Sequence, residues 1–83
     1  MPYRVFSERL NKELDNIGVP PRNDERVEAF AKLVSIPKFK AEAFLNGIAL
    51  PDIKVLTIIS EELEVNPDWL LGKSEQKQKK TRA

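Results

Sequence analysis

Apolar residues recur along this chain at helical spacing, and turn residues divide them into five stretches. In the first, Leu10, Leu14 and Ile17 make a stripe, while Glu8, Arg9, Lys12, Glu13 and Asp15 are expected to face water. Ser7 is placed to cap this helix, over about 7–17, and Gly18 to stop it; Met1 to Phe6 reads as an extended lead-in. GVPPRNDE follows as a stiff loop, because Pro20-Pro21 cannot continue a helix, and Asn23 or Asp24 can cap the next one. Val27, Phe30, Ala31 and Val34 then recur at i, i+3, i+4 and i+7, one face of a helix near 25–34. Pro37 opens and Asn46-Gly47 closes a segment, 37–46, on which Ala41 and Phe44 are apolar. Asp52 caps a helix near 52–63 whose apolar positions wrap more than one face, so it is central to a bundle or shares one face with a partner subunit. Asn66-Pro67-Asp68 is a helix start, and Trp69, Leu70 and Leu71 fill the short helix 67–71 before Gly72.

The expected fold is therefore an all-α bundle of five helices. Its expected core is Leu10, Leu14, Phe30, Ala31, Val34, Ile36, Ala41, Phe44, Ile53, Leu56, Leu63 and Trp69. The short apolar connection Ile48-Ala49-Leu50-Pro51 is expected to pack rather than hang free. Only Ser35-Ile36 separates the second and third helices, so they must cross steeply, and the small Ala31 and Ala41 allow close approach. Such a pair is a helix-turn-helix, whose second helix can lie in a DNA major groove.

At these residues the sequence resembles the Cro and lambda-repressor class of phage and bacterial transcriptional regulators. Ala31, Val34, Ile36, Ala41, Phe44 and Gly47 fall at the spacings of that class's buried positions and closing glycine. The run AFLNGIAL at 43–50 is similar to the end of its recognition helix, and VNPDWLLG at 65–72 to the closing segment of many phage-type repressor domains. The resemblance spans about residues 6–72 and departs at two positions. Ser35 stands where the tight turn usually carries glycine, and a serine in the left-handed region costs on the order of 1 kcal/mol. Val27 stands where a glutamine often clamps a phosphate; its spacing makes it a core residue, which leaves that contact to Arg22 or Arg26.

The resemblance implies a lambda-repressor-like five-helix domain over 1–72 that binds double-stranded DNA sequence-specifically, as a dimer on an inverted repeat. Matched position by position, it makes Lys38, Phe39, Glu42 and Ala43 base-facing, with Lys40 and Asn46 nearer the backbone. The chemistry suits those places. Lysine can donate to guanine or phosphate, phenylalanine and alanine can touch a thymine methyl, and glutamate can accept from cytosine. Phe39 has a second reading as a residue packed on the loop between the first two helices.

Composition narrows the picture. The 83 residues allow one small domain, and 41% apolar content suffices for a helical core. No apolar run approaches membrane length, so neither a membrane partner nor a secretory signal is expected. Cysteine and histidine are both absent. This excludes disulfides and thiolate metal sites, points to a cytoplasmic setting and removes the commonest general base. With no phosphate-binding glycine loop either, no enzyme, cofactor or small-molecule ligand is expected. Net charge is +1, but its distribution is uneven: nine basic and twelve acidic residues lie in 1–72, five basic and one acidic in 73–83. That basic tail has no apolar side chain except Ala83 and is expected to be disordered, adding sequence-independent DNA affinity at most. The acidic body keeps a second class of function in play: a protein-interaction module, antitoxin-like or adaptor, on the same helical scaffold.

Overall fold

Pro20-Pro21, Pro37, Pro51 and Pro67 each stand where no backbone N–H is needed, and the helices lie between them. The computed structural model describes residues 2–78, which form α1 (Arg4–Asn16), α2 (Asn23–Val34), α3 (Lys38–Leu45), α4 (Ile53–Leu63) and α5 (Pro67–Leu70). Among these residues there is no strand, only an isolated antiparallel bridge between Val65 and Gln78. The all-α expectation holds, and no helix among them is long and apolar enough to cross a membrane.

One core serves the helices. Phe6, Leu10 and Leu14 of α1 meet Val27, Phe30, Ala31 and Val34 of α2, Ala41, Phe44 and Leu45 of α3, and Leu56, Ile59 and Leu63 of α4. Leu70 of α5 closes it and is fully buried, whereas the adjacent Trp69 is only half-buried. Ile36 is half-buried as well. The expected core position Ile53 is wrong: it is 79% exposed at the first residue of α4, although it falls near the angle of the buried Ser60. The connection before it is mixed, with Ala49 packed and Ile48 and Leu50 exposed.

Caps explain several boundaries. Asp52 accepts a hydrogen bond from the Val55 N–H at 2.9 Å, and Asn66 from the Asp68 N–H at 3.0 Å, both as expected. Arg22, not Asn23 or Asp24, occupies the cap position of α2, without a side-chain capping bond. Glu64, like Ser35, ends its helix in the left-handed conformation.

The start of the chain differs most from expectation. α1 begins at Arg4, so Ser7 is not a cap but a buried residue one turn inside the helix. Once residues 4–6 are helical, Phe6 and Ser7 join the Leu10–Leu14 stripe by spacing, and Phe6 is 2% exposed. Ile17 lies past the helix end and is exposed; Glu13, expected in water, is buried.

Glu13 is buried because residues 73–78 lie against the body. Lys77 Nζ pairs with Glu13 Oε2 at 2.9 Å and stands over the Trp69 ring, which Arg9 also approaches. The Asn66 N–H donates to Lys77 O at 2.8 Å and the Asn66 amide to Gln76 O at 3.0 Å. Backbone acceptors and two ion pairs, Lys77–Glu13 and Arg9–Glu75, thus hold residues 73–78, a segment that has no apolar side chain to bury. The remainder of that tail, 79–83, lies outside the described residues.

Truncation after Gly72 should lower unfolding free energy by about 1 kcal/mol, because it removes the Lys77–Glu13 pair and the backbone bonds of residues 73–78 while exposing Glu13 to water. Urea denaturation checks this, and a Glu13→Gln background should reduce the loss. A solvated tail would give no change in either background.

Candidate nucleic-acid interface

The connection from α2 to α3 is three residues long, and each has a backbone task. Ser35 sits at φ 58°, ψ 51°, and its N–H donates to Ala31 O. The Ile36 N–H reaches the same carbonyl at 3.0 Å, so two donors close the end of α2. Pro37 stands extended, and its carbonyl accepts from the Lys40 and Ala41 N–H groups at 3.1 and 3.0 Å, which starts α3. Serine therefore takes the left-handed position expected of it.

The far end of α3 is fastened to α1. Ser7 Oγ donates to Leu45 O at 2.6 Å and Asn11 Nδ2 donates to the same oxygen at 3.0 Å. Gly47, at φ 72°, ends the helix, and its carbonyl accepts from the Tyr3 N–H at 3.0 Å. A Cβ there would stand 3.1 Å from both Ser7 Cβ and Tyr3 O, so the close approach requires glycine.

Between these anchors α3 buries Ala41, Phe44 and Leu45 and turns Lys38, Phe39, Lys40 and Glu42 outward. Phe39 is 70% exposed, which rules out the reading that packs it on the loop between α1 and α2. It forms a ridge between two shallow grooves. Asn23, Asp24, Val27 and Glu28 of α2 line the first with Lys38 and Glu42; the second holds Lys40, Ala43, Ala49, Leu50, Asp52 and Val55. Ala43 is half-buried in the second groove, and Asn46 is exposed at the end of α3. The two lysines thus project beside a large apolar ring, with acids on the α2 side.

The two expected backbone arginines part company. Arg22 is exposed and pairs with Asp24 at 3.3 Å, outside both grooves. Arg26 is no surface residue, and its expected phosphate contact does not fit its place. It is 6% exposed, and every N–H of its guanidinium is used. Nε donates to Pro20 O at 2.9 Å, Nη1 to Asn11 O and Oδ1 at 3.0 and 3.2 Å, and Nη2 to Val19 O at 3.0 Å and to Asp15. The signal was present in the spacing, since Arg26 stands four residues before Phe30 and shares its helix face. Ser7 was missed because its place on the inner stripe of α1 follows only from a helix that starts at Arg4, and Asn11 because its partner Leu45 O is distant in the chain.

Comparison with protein-family models, curated proteins and solved structures gives no match to this chain.

Arg26→Ala should cost about 2–4 kcal/mol in urea unfolding, since part-buried acceptors on Asn11, Val19 and Pro20 lose their donors and the buried stem leaves a void. Arg26→Lys should recover less than half of that, because an ammonium cannot span the same acceptors. Arg22→Ala should stay within about 0.5 kcal/mol of the parent.

Proposed function

We propose that the chain is a sequence-specific double-stranded DNA-binding protein of the phage or bacterial transcriptional-regulator type, with α3 entering the major groove. One observation carries the reading. α3 holds its apolar side in the core through Ala41, Phe44 and Leu45 and presents Lys38, Phe39, Lys40 and Glu42 outward from a helix anchored at both ends. A short rigid helix with lysines and an apolar ring on its free face meets what base reading asks of it: donors for guanine and a contact for the thymine methyl. The helix order and the three-residue α2–α3 connection support a lambda-repressor-like arrangement with a helix-turn-helix at α2–α3. Lys38, Phe39 and Glu42, with Ala43 at the edge, are the base-facing set; Lys40, Asn46 and the exposed Arg22 are the backbone set. Arg26 supports the site from inside.

The second reading is a protein-interaction module. The groove on the α4 side of Phe39 favours it, because Ala43, Ala49, Leu50 and Val55 make that groove apolar. Asp24 and Glu28 beside Lys38 act in the same direction, since carboxylates near the α3 face repel phosphates.

Selection of sites from random duplexes at near-physiological salt, followed by anisotropy titrations, separates the two. Lys38→Ala and Phe39→Ala should each cost about 1–3 kcal/mol on the selected site and little on scrambled DNA. Equal losses on both duplexes would make them backbone or structural residues. Recovery of no motif, with only weak salt-sensitive binding, would favour the protein-interaction reading.

A further inference from the structure

The outward side chains of α3 stand in a fixed order around the helix. Lys38, Phe39 and Glu42 are all exposed and line one groove. At about 100° per residue, Glu42 lies about 40° round from Lys38 and Phe39 about 100° round, so the carboxylate stands between the ammonium and the ring. Among the described residues neither Lys38 nor Glu42 forms an ion pair, so both charges are available to an outside partner. Phe39, 70% exposed, completes the row with an apolar surface. Asp24 and Glu28 face the same groove from α2, so an exocyclic amine suits it better than a phosphate.

We propose that this row reads a 5-methylcytosine–guanine base pair, so that cytosine methylation of the DNA strengthens binding. The inference rests on α3 lying in the major groove, as proposed above, and carries it to one modified base. Across the major-groove edge of that pair come the guanine N7 and O6 acceptors, then the cytosine N4 amine, then the methyl group. The side chains come in the matching order: Lys38 donates to the guanine, Glu42 accepts from N4, and Phe39 packs on the methyl. Glu42 is three positions from Phe39 and four from Lys38, which sets its Cβ about 5–6 Å from each of theirs, close enough for all three to converge on one pair. Other pairs leave a group unmatched. Unmodified cytosine gives Phe39 no methyl. Thymine has the methyl, but its O4 acceptor lies between that methyl and the adenine N6 amine, beside the Glu42 carboxylate with no donor to meet it. A reversed pair puts the methyl on the Lys38 side.

The test selects sites with the full chain from two random duplex libraries, one made with cytosine and one with 5-methylcytosine. Each cytosine of the selected site is then replaced in turn by 5-methylcytosine or thymine in synthetic duplexes, and affinities are read by anisotropy. At one position 5-methylcytosine should bind about fourfold tighter than cytosine, the effect of one buried methyl. Thymine paired with adenine should bind no tighter than cytosine there. Phe39→Ala should bring the methyl ratio to about one. Glu42→Gln should narrow the gap between 5-methylcytosine and thymine, because its amide can donate to O4. Circular dichroism of both variants should match the parent, since both side chains are exposed. A selected site at which no cytosine gains from methylation would overturn the proposal and leave DNA reading by α3 standing. So would thymine binding as tightly as 5-methylcytosine, or a methyl gain that survives Phe39→Ala. Recovery of no site from either library would overturn both.

Discussion

The guanidinium of Arg26 is the constraint on which the rest of this structure depends. A buried cation is costly unless all its donors are used, and here they are used on α1 and on the loop that follows it. The acceptors include backbone carbonyls of Val19 and Pro20, which lie in a segment without secondary structure of its own. The arginine thus fixes the proline loop to the first turn of α2. It also holds Asn11, whose amide reaches on to Leu45 O at the end of α3. One chain of hydrogen bonds runs from the loop through α2 and α1 to α3. No buried side-chain polar atom among the described residues is left without a partner, so this network is closed.

That closure accounts for the character of α3. Eight residues are too few for a helix to hold itself together in water. α3 is ordered because the turn at Ser35 to Pro37 holds one end and Ser7, Asn11 and Gly47 hold the other. Its free face needs no apolar contact for stability and can carry Phe39 in solvent. A large exposed ring on a helix fixed from behind serves better for recognition than for folding, whichever class of partner occupies the grooves beside it.

The two helices after it divide the remaining work. α5 is a single turn that brings Leu70 into the core and leaves Trp69 at the edge, where Arg9 and Lys77 stand over the ring. Residues 73–78 complete that edge by supplying Lys77 to Glu13, so the basic end of the chain is partly spent on structure. α4 buries Leu56, Ile59, Ser60 and Leu63 on one side and leaves the other side exposed.

Local rules settled most of the secondary structure from the sequence alone: Asp52 and Asn66 as caps, Gly18, Gly47 and Gly72 in left-handed stops, and the apolar stripes of α2 and α3. These depend on neighbours within a turn, and such neighbours are visible in the chain. The outward set on α3 was legible for the same reason, since burying Ala41 and Phe44 leaves only the opposite face free. Tertiary structure decided what depends on distant partners. Ser7 could be a cap or a core residue until the carbonyl of Leu45 was placed beside it. Arg26 and Glu13 have polar side chains that read as solvated, and only acceptors and donors brought from α1, the proline loop and residue 77 make their burial favourable. Ile53 has the composition of a core residue, yet it is exposed because it is the first residue of α4, where the other helices leave the end of the buried stripe uncovered. Periodicity along a chain tells which residues share a face. Which face is covered, and by what, is fixed only when the other helices arrive.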